Sequence, residues 1–131
     1  CSVCEYQEPL PLNDIAKKLD AEVVYGRTDI TIWGYTLIDS LKAIVEMLPD
    51  QFQKIYGRST ARALIFTGVH TGRSSMVAVR VSNLKPGAVV LQGMEPVDVD
   101  PIAVRIAEVE NIPLLTTHFS VDEITSALSK G

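Results

Sequence analysis

A chain of 131 residues and 14.3 kDa holds one domain and has no room for two of ordinary size. Its 47% hydrophobic and 21% charged residues make a globular composition, which excludes disorder, collagen-like repeats and a disulfide scaffold. The net charge of −4 argues against a dedicated nucleic-acid binder.

No stretch approaches the roughly 18 consecutive apolar residues of a membrane span, and the N-terminus carries no basic patch before an apolar secretory core. The expected location is therefore cytoplasmic, with no membrane partner. Charge is unevenly distributed. Residues 51–90 hold Lys54, Arg58, Arg62, Arg73, Arg80 and Lys85 without an Asp or Glu, between two flanks rich in acids. Either these bases pair with the flanking acids, or they converge on an anion site.

Cys1 and Cys4 form a single CxxC with no second pair, half of what a structural zinc site needs, and Pro9 and Pro11 follow where a redox CxxC would open a helix. No metal site is expected, and residues 1–11 read as an N-terminal tail before one domain over residues 12–131. Asn13 can cap a short helix carrying Ile15, Ala16 and Leu19 on one face. Val23–Tyr25 and Ile30–Tyr35 read as strands, rich in β-branched and aromatic residues. Asp39 and Ser40 suit the N-cap of a helix with Leu41, Ile44, Val45 and Leu48 on its buried stripe.

The pattern then becomes regular. Ala63–Thr67, Ala88–Gln92 and Ile112–Thr116 are short apolar runs without clean alternation, as strands of a parallel sheet covered on both faces should be. Asp100-Pro101 starts a helix with Ile102, Ile106 and Val109, and Ser120 with Glu123 makes a capping box before Ile124, Ala127 and Leu128. Ser75–Asn83 fits either a strand, through Val77, Val79 and Val81, or a helix. The whole predicts an α/β fold: a layered βα-repeat sheet, mostly parallel, with helices on both faces.

Ligands of such sheets bind beyond the carboxyl ends of the strands. Those ends carry Thr67, Gly68, His70, Gly72, Arg73 and Ser74, then Gln92 and Gly93, then Thr117 and His118. The segment Gly68–Ser75 departs from a phosphate-binding Walker loop: three residues instead of four separate its glycines, and Arg73 replaces the lysine. A looser anion cradle remains, with Arg73 forking onto a phosphate or carboxylate. His70 and His118 stand where a general base would, yet neither has an acid within the four preceding residues. Trp33, Tyr25 and Tyr35 are assigned to the core or a subunit contact in preference to a stacking platform.

The residues from Ala63 to Leu128 resemble the DRTGG domain, a small α/β module related to the N-terminal domain of HPr kinase/phosphorylase. The resemblance rests on Leu64-Ile65-Phe66-Thr67 leading to Arg73, on Val89-Val90-Leu91 with Gly93 and Pro96, on Ile112-Pro113-Leu114-Leu115, and on the helix after Phe119. Leu12–Leu48 is similar to the family's opening helix, strand and helix. The family's Gly-Asp-Arg corresponds to Thr71-Gly72-Arg73 and its Thr-Gly-Gly to Gln92-Gly93-Met94, so Arg73 and Gly93 carry over by position. The resemblance implies a helix at Ser75–Asn83 and a regulatory or dimerising role.

The leading expectation is a non-catalytic regulatory module that forms a homodimer, requires no cofactor and senses a small anionic ligand, such as a nucleotide or phosphorylated metabolite. A partner enzyme is a further candidate. The alternative is an enzyme subunit or small transferase working through His70 or His118.

Overall fold

The computed structural model describes residues 3–39, 55–82 and 84–129. The helix expected from Ser40 through Leu48 lies outside them; Asp39, expected at its cap, is the last residue of a strand.

Three parallel pairings build the centre of the sheet. Strands β3 (Thr31–Asp39), β4 (Ala63–Thr67), β5 (Ala88–Gln92) and β6 (Leu114–Thr117) run side by side in that order. Two antiparallel strands close the edges, β1 (Val3–Pro11) on β3 and β2 (Glu22–Tyr25) on β6, giving a six-stranded mixed sheet of order β1-β3-β4-β5-β6-β2. The apolar runs are continuous because both faces are covered. Leu64, Phe66, Val89, Leu91 and Leu114 face one core, closed by helices α2 (Arg73–Val81) and α3 (Pro101–Glu110). Ala63, Ile65, Ala88, Val90 and Leu115 face the other, closed by α1 (Leu12–Lys18) and α4 (Val121–Ser129). The α/β sheet with helices on both faces is the architecture the sequence predicts. Among the described residues, no helix is long and apolar enough to cross a membrane.

The caps follow local chemistry. Asp100 accepts from the Ile102 N–H at 2.8 Å, with Pro101 at the first helical position. Ser120 and Glu123 close a reciprocal capping box, Ser120 N–H to Glu123 Oε1 at 2.9 Å and Glu123 N–H to Ser120 Oγ at 3.2 Å. Helix α1 differs from expectation: Pro11 occupies its N-cap without a side-chain bond, and Asn13 lies inside the first turn.

The N-terminal residues differ most. Residues expected as a tail form β1, an edge strand on which proline is tolerated because one row of N–H groups needs no partner. A buried arginine fastens it. The Arg62 side chain, 0% exposed, pairs with the Glu5 carboxylate and donates to the carbonyls of Ser59 (2.8 Å), Cys4 (3.3 Å) and Tyr35 (3.3 Å) and to Thr36 Oγ1 (3.2 Å). Arg62 and Lys85, which meets Glu110 at 3.0 Å, are thus bases of the acid-free segment that do pair with flanking acids.

Candidate functional site

The carboxyl ends of β4, β5 and β6 share one rim, and the sequence-predicted residues occupy it in three loops. The first turns sharply. Gly68 and Gly72 have φ of +66° and +82°, in the left-handed region that side chains resist. Gly72 has a second constraint, since a Cβ there would lie 2.6 Å from Leu91 Cδ1. This close approach seats the start of α2 against β5. Gly72 itself caps α2 and supplies no side-chain acceptor; the nearest is Thr71 Oγ1, 3.4 Å from the Arg73 N–H. The first turn therefore keeps donor capacity directed at the rim. Ser75, in that turn, is 1% exposed, and among the described residues its Oγ has no hydrogen-bond partner. Arg73 projects from the first helical position into solvent and forms no ion pair among the described residues. Ser74 and His70 are also exposed.

The other rim residues mainly hold the loops. Thr67 Oγ1 donates to the Ile38 carbonyl at 3.4 Å. Gln92 Nε2 donates to the Phe119 carbonyl at 2.9 Å, and the Gly93 N–H to the Thr117 carbonyl at 2.7 Å, which joins the second loop to the third. Thr117, 1% exposed, donates its hydroxyl to the Leu19 carbonyl at 2.7 Å and accepts from the Phe119 N–H at 3.2 Å. Gly93, at φ +80°, has nothing within 4 Å of where a Cβ would sit, so its role is conformational. The Asp100 N–H bonds the Thr71 carbonyl at 2.9 Å and ties the first loop to the start of α3.

His118 has an acid partner that local sequence spacing does not reveal. Asp20, just beyond α1, places Oδ2 2.9 Å from His118 Nε2. That hydrogen bond raises the imidazole pKa above its ordinary value. The pair is open to water at 58% and 77% side-chain exposure, and the nearby Thr117 hydroxyl is already engaged. His70 has no such partner among the described residues. The rim thus collects the glycine-led start of α2 with the exposed Arg73 and Ser74 and, at the opposite end, an exposed His–Asp pair. No group of three or more metal-ligating side chains occurs among the described residues.

Two hollows lie elsewhere, against β1. One, of about 540 Å³, separates β1 from α4 and is walled by Tyr6, Leu10, Tyr35, Thr125 and Leu128 among others. The second, of about 430 Å³, is lined by Glu5, Tyr6, Gln7, Trp33, Arg58 and Ser59. Sequence reasoning missed both, because a segment read as a tail has no wall to offer.

No family model matches the chain. Over 130 residues it is 48% identical to an uncharacterized HTH-type transcriptional regulator of Methanocaldococcus jannaschii, a match that takes in 98% of this chain and 54% of that protein. A second uncharacterized HTH-type transcriptional regulator, from Archaeoglobus fulgidus, is 44% identical over 128 residues, with 98% and 56% covered. The chain spans about half the length of the curated relatives it matches. Among solved structures, the CBS and DRTGG domains of the regulatory region of Clostridium perfringens pyrophosphatase, complexed with the activator diadenosine tetraphosphate, superpose with a TM-score of 0.57. The match covers 90% of this chain and 45% of that one at 14% identity, a likeness of fold.

Proposed function

We propose that the chain is the ligand-sensing half of a transcriptional regulator, a non-catalytic DRTGG-like module of the cytoplasm that pairs with itself. It takes a small anion, a nucleotide or phosphorylated metabolite, at Gly72, Arg73 and Ser74 with His70 alongside. The observation that carries the reading is the start of α2: among the described residues, a helix terminus without a side-chain cap, an Arg73 guanidinium with no ion pair and a buried Ser75 hydroxyl with no hydrogen-bond partner. Identity with two proteins named as HTH-type transcriptional regulators across almost the whole chain supports the regulatory role. Self-pairing is supported by the exposed Val77 and Val81 of α2 and Ile102 and Val109 of α3, an apolar outer face on two neighbouring helices. The His118–Asp20 pair gives an enzymatic reading less support, since it stands in open solvent and the neighbouring Thr117 hydroxyl is already engaged with the Leu19 carbonyl.

The test is a thermal-shift panel of nucleotides and sugar phosphates on the wild-type chain and on Arg73→Ala. The reading expects at least one ligand to raise the melting temperature of the wild type and to lose that effect in the variant. A response that survives the substitution contradicts the anion site. Light scattering at micromolar concentration should give twice the chain mass, and a monomer contradicts the pairing.

A further inference from the structure

Trp33 is the one tryptophan of the chain, and it is 43% exposed although its neighbours Ile32 and Gly34 on β3 are buried. The reason lies in the β1–β3 ladder. Glu5 pairs with Gly34 and Leu10 with Ile32, so Tyr6–Pro9 have only Trp33 opposite them. The surplus residues lift out of register as a bulge, and the 430 Å³ hollow opens beside the indole. Its volume falls within the ~300–1,000 Å³ usual for small-molecule sites.

The wall chemistry is specific. Two aromatic rings, Trp33 and Tyr6, offer flat surfaces; Gln7 and Ser59 offer hydrogen-bonding groups; Arg58 brings a guanidinium. Glu5 is already committed to Arg62 and to the Arg58 N–H at 3.0 Å, whereas the Arg58 side chain has no ion pair among the described residues. A π-face beside an unopposed guanidinium recognises a planar ring that bears a negative group. We infer that this hollow is a second binding site, separate from the α2 rim, for a planar anion: a nucleoside monophosphate or an aromatic carboxylate, which share that chemistry.

The lone tryptophan makes the test local. Indole fluorescence is followed while the chain is titrated with AMP, GMP and UMP in one arm and with 4-hydroxybenzoate and indole-3-carboxylate in the other. Inorganic phosphate and unphosphorylated nucleosides serve as controls. The inference expects a saturable change in one arm, which identifies the source, with the controls at least tenfold weaker. Arg58→Gln should weaken the response tenfold or more, and Arg73→Ala should leave it unchanged, so this site and the α2 rim fail separately. Stacking on an aromatic ring contributes about five- to 150-fold in affinity, so Trp33→Ala, followed by calorimetry, should lose at least fivefold. No saturable change in either arm at millimolar ligand, a response abolished by Arg73→Ala but not by Arg58→Gln, or a fluorescence that changes with protein dilution and not with ligand overturns it.

Discussion

Replacing Arg62 with methionine tests how β1 is held. The side chain is inaccessible to solvent, and its guanidinium serves Glu5, three backbone carbonyls and the Thr36 hydroxyl. Methionine fills much of the volume and leaves those acceptors without their donor. Removing one partner of a buried ion pair costs about 3–5 kcal/mol. Glu5 retains 29% side-chain exposure and can regain water, so the lower end applies, about 3 kcal/mol. For a chain of this length that lowers the melting temperature by roughly 10 °C. Glu5→Gln should cost less, about 1–2 kcal/mol, because the carbonyl contacts of Arg62 survive it. Urea unfolding followed by far-UV circular dichroism measures both, with the exposed Arg80→Met as a control expected within about 0.5 kcal/mol of wild type. An Arg62→Met variant as stable as the control, or one less damaging than Glu5→Gln, refutes the reasoning.

Gly93→Ala meets only the cost of a positive φ, about 1 kcal/mol, whereas Gly72→Ala must also displace the buried Leu91 and should cost about 2–3 kcal/mol in the same assay. Equal costs would deny the contact between the rim loop and β5. His118 should titrate above its ordinary 6.5 by NMR and return towards it in Asp20→Asn. Because the folded pKa is the higher one, the pair's stabilisation is fully present below the unfolded value and disappears as pH rises through the folded value. An unchanged His118 titration in Asp20→Asn removes Asp20 as the cause.

The central sheet was legible in the sequence because burial on both faces leaves a mark in composition: Ala63–Thr67 and Ala88–Gln92 are uninterrupted apolar runs, and both occur as strands with those bounds. Asp100 and Ser120 announced their helices because a cap is a local event, settled within three residues. Ser75–Asn83 was not decidable by pattern, since Val77, Val79 and Val81 alternate; helix α2, which runs to Val81, buries Ser75, Met76, Ala78 and Val79 and leaves Val77 and Val81 outside. Strand β1 was hidden by Pro9 and Pro11, and by the fact that its anchor, Arg62, lies 57 residues away. The same distance problem concealed Asp20, which meets His118 across 98 residues. At the rim, residue types were readable but their commitments were not. Nothing in the letters shows that Thr117 and Gln92 direct their polar atoms at neighbouring backbone while Arg73 is exposed without an ion pair among the described residues.

Amide chemical-shift mapping of the isotope-labelled chain, titrated first with inorganic phosphate and then with a nucleotide panel, tests the proposed anion site at the start of α2. The account predicts saturable shifts at the N–H groups of Gly72, Arg73 and Ser74 that vanish in Arg73→Ala. Amides at the start of α2 that stay unmoved by every anion, while others respond, would contradict it.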